Sequence, residues 1–150
     1  MPSSPAWLTT LQRIREHHRD SALHSLAQCL AAVAKVRDTA THVESQIADR
    51  SAAQQQVSGQ RRLDPNRLRQ IRQDRDDLRT QLAALRQQQS VAETAVCQAQ
   101  AMAIKKNAEL DALRKLSSRY DSAHQQARRR QEEQSPVETA ASLCNGGLAH

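Results

Sequence analysis

The feature that most limits the fold of this chain is an apolar heptad repeat in its second half. A strict register with alternating steps of three and four residues runs from Leu68 to Ala127, and thirteen of its eighteen positions are apolar. The bulk composition, which is 38% hydrophobic, would supply roughly seven over the same number of positions. Because repeats of this kind are typical of coiled-coil seams, we expect long helices.

A second run of the same spacing lies in the first half of the chain, from Leu26 to Ile47. The residues before it fit less regularly, although Leu8, Leu11 and Ala22 are apolar, and Leu30 also lies outside the strict register. Near Ala22 two four-residue steps between apolar residues follow each other, which breaks the alternation of three and four. A step of this kind predicts a local change of supercoil.

The helix boundaries are indicated by polar residues that stand directly before prolines, at Ser4, Asp64 and Ser135. A capping oxygen followed by proline, whose φ is already helical, predicts helices that begin near residues 5, 65 and 136. Gly59 precedes the second start and is expected to end the first helix, because glycine tolerates the left-handed conformation common at helix ends. The expected elements are helices over about 5–57, 66–134 and 136–143, a turn over 58–65 and a flexible tail over 144–150.

The short turn favours a hairpin, because two seams joined in this way close on each other most economically as antiparallel helices. The presence of only 1% aromatic residues and no Phe disfavours a thick globular core. We therefore expect an all-α fold, a single long antiparallel two-helix coiled-coil hairpin with a short C-terminal helix. Pairing about a turn near Arg61 and Arg62 sets Leu8 beside Ser117, so the second helix should outrun the first over residues 120–134.

Chemistry-bearing residues do not converge in this sequence. The six histidines lack the spacing of a helical metal site, and no glycine-rich loop could cradle a phosphate. Cys29, Cys97 and Cys144 show no C-x-x-C spacing, which disfavours both a zinc site and a disulfide framework. We expect no enzymatic activity, no cofactor and no metal.

The net charge of +6 and the pI of 9.9 come mainly from arginine and predict an acidic partner. Nucleic acid is disfavoured, because Pro65 interrupts the basic stretch at residues 61–75 and Asp74, Asp76 and Asp77 would repel phosphates. No segment resembles a signal peptide or is apolar enough to span a bilayer. We therefore expect a cytoplasmic protein without membrane insertion.

Three parts of the chain resemble the FliJ/YscO family of type III export stalk proteins. The first is the N-terminal WLTTLQRIREHHRDSALHSLAQCLAAV, with its leucine pair, Arg-Glu and regular Ala/Leu spacing. The second is the turn and the helix after it, SGQRRLDPNRLRQIRQDRDDLRTQLAALRQQQ. The third is the closing segment, LRKLSSRYDSAHQQARRRQEEQSPVETAASL. Together these parts cover most of the chain.

The resemblance implies a cytoplasmic stalk, peripherally associated with the export apparatus of a virulence injectisome or a flagellum at the inner membrane. In the family, the paired helix ends enter the hexameric export ATPase ring, the rod reaches toward the export gate protein, and export chaperones also bind. Carried over to this chain, the ring contacts are Arg13, Arg15 and Arg128, Arg129 and Arg130. Two alternatives remain open: an unrelated cytoplasmic coiled-coil scaffold or chaperone, and a basic nucleic-acid-binding coiled coil.

Overall fold

The structure, a computed structural model, describes residues 4–62 and 64–147, with side chains as far as residue 134. Two helices, α1 (Ala6–Ser58) and α2 (Pro65–Gly147), account for nearly all of these residues, and the described part of the chain contains no strand. The helices pack against each other as a hairpin. The expected all-α fold is confirmed, and the turn lies where the proline and glycine positions predicted it.

The start of α2 is fixed by the cap that the sequence predicts at Asp64. Its Oδ1 accepts hydrogen bonds from the backbone N–H groups of Asn66, at 3.1 Å, and Arg67, at 3.5 Å. Its carbonyl accepts from the N–H of Leu68 at 3.1 Å. These bonds satisfy N–H groups that the first turn of a helix otherwise leaves unpaired, so Asp64 is the N-cap.

Ser4 does not act as the corresponding cap of α1. The carbonyl of Pro5 accepts from the N–H groups of Leu8, at 3.0 Å, and Thr9, at 3.4 Å, and the helix begins one residue after the proline. The Ser4 hydroxyl instead forms hydrogen bonds with α2. A short hydroxyl side chain can satisfy either role, and here the facing helix offers it two oxygen atoms.

Gly59 follows the last residue of α1 but does not use the left-handed conformation that glycine tolerates, since no described glycine has a positive φ. Its N–H donates to the carbonyl of Gln55 at 3.1 Å, which continues the helical pattern. The N–H of Gln60 then donates to the carbonyl of Val57 at 3.3 Å. Because this second bond spans only three residues, α1 ends in a tighter, 3₁₀-like turn and not in a residue with the left-handed conformation.

No separate helix begins at Pro136. α2 continues through Ser135 and Pro136 to Gly147, so residues 144–147, expected in a flexible tail, are helical, and 148–150 lie outside the described residues. Proline inside a helix removes one hydrogen bond and costs about 3 kcal/mol, but its φ is compatible with helix. The flanking sequence is rich in Gln, Glu and Ala, which are good helix formers and favour continuation.

The packing of the two helices divides into two units. Unit 1 comprises Met1–Asp20 and Ile104–His150, and unit 2 comprises Ser21–Ala103. In unit 2, the contacts between the helices are nested around the turn, as antiparallel pairing requires. From the turn outward they are Arg75 with Gln54, Arg86 with Glu44 and Arg37 with Glu93.

Unit 1 shows the same antiparallel order. Arg15 pairs with Glu109, Gln12 donates to the carbonyl of Leu113 at 3.5 Å, and Ser4 bonds Ser117 and Asp121. The predicted proximity of the N-terminal end of α1 to Ser117 is therefore confirmed. Leu8 and Leu110 are completely buried between the helices of this unit.

The heptad seam of α2 is confirmed from Leu68 to Ser117, where every position of the register is buried or half-buried. This includes the polar residues Arg75, Gln89 and Lys106. The seam of α1 from Leu26 to Ile47 is confirmed in the same way. The buried apolar side chains described in unit 2 are few and mostly small: Val33, Ala40, Val43, Val57, Ile71 and Ala103.

The change of register expected near Ala22 does not occur in the exposure pattern of α1. Arg15, Arg19 and Ala22 are half-buried and continue the alternation of four-residue and three-residue steps into Leu26. The apolar residues alone predicted a change of heptad register because arginines occupy two of the seam positions. Arginine can cover a seam with its aliphatic stem while its guanidinium remains in water.

Candidate functional site

The grooves found on the described surface of the hairpin are open to solvent. Two open grooves lie near the turn in unit 2, one lined by polar side chains that include Asp49, Arg50 and Asp74, the other by residues that include Ser51 and Arg75. Among the residues whose side chains are described, no group of three or more His, Cys, Asp and Glu could hold a metal ion. A candidate site must therefore be sought on the open surface.

One surface carboxylate has a perturbed pKa. Hydrogen bonds from the side-chain amide of Gln89, at 3.1 Å, and the guanidinium of Arg37, at 3.0 Å, lower the pKa of Glu93. Both donors favour the ionised carboxylate. Because Arg37 belongs to the facing helix, the shift reflects packing between the helices and gives no indication of catalysis.

The candidate site is the part of α2 that continues past the start of α1 in unit 1. Ser4, just before α1, bonds α2 far from the turn: its hydroxyl lies 3.4 Å from Ser117 Oγ and 3.3 Å from Asp121 Oδ1. From Ser122 to Gln134 every side chain is exposed. We call these residues the projecting segment. The overhang that the sequence predicted over 120–134 is thus confirmed, with its start two residues later.

Arg128, Arg129 and Arg130 lie in the middle of the projecting segment, and all three are exposed. None of them has an ion-pair partner among the described residues, although Glu132 and Glu133 follow within the next helical turn. Three consecutive helical residues point in directions that span about 200° of the helix circumference. The guanidinium groups can therefore meet acidic groups on several sides of the helix at once.

Arg13 and Arg15, the other two predicted site residues, lie on α1 of the same unit and differ in their surroundings. Arg13 is exposed. Arg15 is half-buried, with its Nη1 2.9 Å from Glu109 Oε2, an oxygen that also lies 3.7 Å from Lys106 Nζ. Glu109 and Arg128 are separated by about 28 Å along α2. The structure therefore does not bring the five arginines into one cluster.

An exposed apolar surface in unit 1 was missed by the sequence analysis. Its members are Trp7, Ile14, Leu116 and Tyr120, which are between 36% and 56% exposed; we call them the aromatic patch. It holds the chain's only Trp and its only Tyr. Trp7 and Ile14 are one heptad apart and lie outside the seam. This regular spacing is the sequence signal from which part of the aromatic patch could have been predicted.

Ion pairs beside the seam were also not anticipated. Arg37 with Glu93 and Glu44 with Arg86, in unit 2, lie at successive heptad positions that flank the seam on both helices. Glu16 with Arg114 occupies the equivalent flank in unit 1, at 3.8 Å. Oppositely charged residues at flanking positions of a heptad are a recognisable signature of a specific pairing, so the signal was present in the sequence.

Comparison of this chain with family models, with curated proteins and with solved structures found no match. Within the described part of the chain, neither helix has a stretch long and apolar enough to cross a bilayer. The case for a function therefore depends on the residues of unit 1 and on the resemblance of sequence segments described above.

Proposed function

We propose that this chain is a non-catalytic stalk component of a type III protein export apparatus, which couples the hexameric export ATPase to the export gate and binds export chaperones. The observation that carries the proposal is the projecting segment, a stretch of α2 in which every side chain is exposed and three arginines have no ion-pair partner among the described residues. On this proposal the protein works in the cytoplasm, beside the export apparatus at the inner membrane.

The charge of the projecting segment supports a ring-shaped acidic partner. Arg128, Arg129 and Arg130 face several directions, whereas a flat partner surface could contact only one side of the helix. Charged groups brought together across a partly desolvated interface strongly affect association rate and specificity. A solvated helical segment without a partner, by contrast, would obtain little stabilisation from the same charges.

The aromatic patch adds the apolar component that a stable interface needs. Trp7 and Tyr120 are exposed in the same unit as the projecting segment. Aromatic and arginine side chains are the types that contribute most to binding energy in protein interfaces. We therefore expect the partner to contact both surfaces, with the apolar contacts setting the lifetime of the complex and the arginines guiding its formation.

Of the two α1 arginines, Arg13 is the better candidate for a contact with the ring. Arg15 already shares Glu109 with Lys106, so its replacement would disturb the packing of the hairpin as well as any interface. Arg13 is exposed, and its replacement would test binding alone.

The test is the triple variant Arg128→Glu, Arg129→Glu, Arg130→Glu, measured for binding to the export ATPase and for stimulation of ATP hydrolysis over a salt series. The matched control reverses three exposed arginines beside the turn, Arg61→Glu, Arg62→Glu and Arg67→Glu, with the same change in net charge. We expect the first variant to lose at least about tenfold in affinity, since several charge pairs become repulsive. The control should bind as the parent does.

Helicity measured by circular dichroism should be unchanged in both variants, because all six side chains are exposed. Equal loss in the two variants would indicate a nonspecific effect of net charge and would contradict the proposal. Undiminished binding by the first variant would remove the projecting segment from the mechanism. Absence of any binding to an export ATPase by the parent chain would favour the alternative, an unrelated coiled-coil scaffold.

A further inference from the structure

Unit 2 contains a band without charged residues, which we call the uncharged belt. It comprises residues 21–34 of α1 and 94–103 of α2, which include no Asp, Glu, Lys or Arg. In a chain with 25% charged residues, a stretch of this combined length would ordinarily carry roughly six. The large apolar side chains that unit 2 leaves exposed among its described residues all lie in this belt or close to it: Leu23, Leu30, Val91 and Met102.

Within the belt, α1 carries a second apolar row besides its seam. Leu23, Ala27, Leu30 and Ala34 follow steps of four, three and four residues, and all four are exposed. We call them the outer row. The spacing is that of a coiled-coil seam, yet α2 does not cover it, because α2 packs on the row that contains Leu26 and Val33. Leu23 and Leu30 remain about half exposed, at 48% and 52%.

The outer row interrupts the line of ion pairs that flanks the seam. Glu44 and Arg37 stand one heptad apart and each pairs with a residue of α2. One heptad further toward the N-terminus the same position is Leu30, and after another heptad it is Leu23. On α2, Gln100 takes the position one heptad beyond Glu93. The α1 positions that flank the seam on this side therefore carry ion pairs outside the uncharged belt and exposed apolar residues within it.

We propose that the outer row is a self-association surface on which a second copy of this chain packs. The α1 helices of the two copies lie antiparallel to each other. An interface between identical chains related by a two-fold axis must be complementary to itself. In the antiparallel pairing of the outer row, Leu23 meets Ala34 of the second copy and Leu30 meets its Ala27. Each leucine thus faces an alanine, which is the alternation of large and small side chains that lets two helices approach closely.

The charges beside the outer row fit the same pairing. In sequence, Asp20 stands three residues before Leu23, and Arg37 stands three residues after Ala34. The antiparallel arrangement sets each Asp20 opposite the Arg37 of the second copy. Both side chains are more than half exposed, although within the chain Asp20 pairs with Arg19 and Arg37 pairs with Glu93. Two chains of net charge +6 repel each other along most of their surface. The uncharged belt is where they can meet without that repulsion.

A second hairpin would also cover apolar seam residues that one hairpin leaves half-buried. Leu26, Cys29, Val96 and Ala99 belong to the seam of the belt, yet they are only half-buried, because two helices cannot enclose them. Four-helix arrangements are the common solution to this problem. The inference goes beyond the proposed function, because the outer row lies in unit 2 and shares no residue with the projecting segment or the aromatic patch, so either can fail without the other.

The test is the mass of the full chain by sedimentation equilibrium, over a concentration range from about 1 to about 500 µM. We expect a reversible monomer–dimer equilibrium in the parent. The variant Leu23→Lys, Leu30→Lys should remain monomeric throughout the range, and Leu23→Gln, Leu30→Gln should weaken the dimer at least about tenfold without adding charge. Circular dichroism of each variant at low concentration establishes that the hairpin is folded.

The matched control is Val91→Lys, Met102→Lys, which changes two equally exposed apolar residues of α2 that do not belong to the outer row. This control should dimerise as the parent does. A monomeric parent at the highest concentration would overturn the inference. A dimer that survives the leucine variants, or that the control variant abolishes equally, would also overturn it.

The orientation is tested with one spin label on Thr41→Cys, in a background in which Cys29, Cys97 and Cys144 are serine. In the antiparallel pairing the two labels of a dimer lie about 37 Å apart along the helix axes. In a parallel pairing they would lie within about 20 Å, because only the spacing between helices separates them. The shorter distance would overturn the antiparallel arrangement.

Discussion

Individual residues at the turn determine how the two helices are joined, and they act through backbone hydrogen bonds. Asp64 caps α2 with its carboxylate, whereas Gly59 extends the hydrogen bonding of α1 by one residue without a positive φ. The cap could be predicted from the sequence because its chemistry is local. The conformation of Gly59 could not, because both a left-handed end and a tightened last turn are open to glycine.

The first prediction at this scale is that Gly59→Ala stabilises the hairpin. A Cβ at this position would lie 3.6 Å from the carbonyl oxygen of Gln55 and 3.7 Å from that of Gln56, which are ordinary contact distances. Alanine restricts the unfolded chain more than glycine does, so the free energy of unfolding should rise by about 0.5 kcal/mol. Urea denaturation measures this change. A loss of stability would show that Gly59 needs a conformation that alanine cannot adopt.

At the scale of the elements, the seams combine small apolar residues with long polar ones. Arg75 occupies a seam position of α2, where its Nη1 donates to Gln54 Oε1 and its Nε is buried without a partner. A buried donor that lacks an acceptor weakens the packing around it. The seam near the turn is therefore less stable than its regular spacing suggests.

We predict that the double variant Gln54→Leu, Arg75→Leu raises the free energy of unfolding, by about 1 kcal/mol. It replaces a half-buried polar pair with side chains that suit a seam. Gln54→Leu alone should destabilise the hairpin, because it removes the hydrogen-bond acceptor of Arg75 and leaves the half-buried guanidinium without that partner. Thermal and urea unfolding of the three variants form a double-mutant cycle. Additive effects of the two single changes would contradict the pairing.

The elements also show why sequence analysis succeeded in one respect and failed in another. The seam of α2 was predictable because a heptad repeat is a property of one helix by itself. The roles of Ser4 and Arg15 were not, because each depends on which residue of the other helix lies opposite. The continuation of α2 through Pro136 depends on a balance between one lost hydrogen bond and many favourable residues, which spacing alone does not reveal.

For the whole molecule, the hairpin can be checked with the native cysteines. Cys29 and Cys97 both lie in unit 2 and are free thiols. Spin labels on them, in a Cys144→Ser chain diluted with unlabelled protein, should report a distance under about 25 Å, since packed helices lie close together. A continuous helix would separate them by about 100 Å. A distance near that length would disprove the hairpin.

The candidate site could be predicted only in part at this scale. The projecting segment followed from the position of the turn and the unequal lengths of the two helices, so Arg128, Arg129 and Arg130 were located correctly as exposed residues. The aromatic patch was missed because Trp7 and Leu116, far apart in sequence, belong to one unit only when the chain folds back. Its members are isolated apolar residues when they are seen in the sequence alone.

The continuous seams have a consequence for the ways in which such a chain can change its length. An insertion of one or two residues into α1 would rotate every later seam residue away from α2. Only insertions of whole heptads, matched by equal insertions in α2, preserve both the register and the antiparallel pairing. The projecting segment is free of this constraint because its side chains are all exposed and no described residue of α1 packs along it. Related chains should therefore differ in steps of seven residues within the hairpin and by any number of residues beyond Asp121.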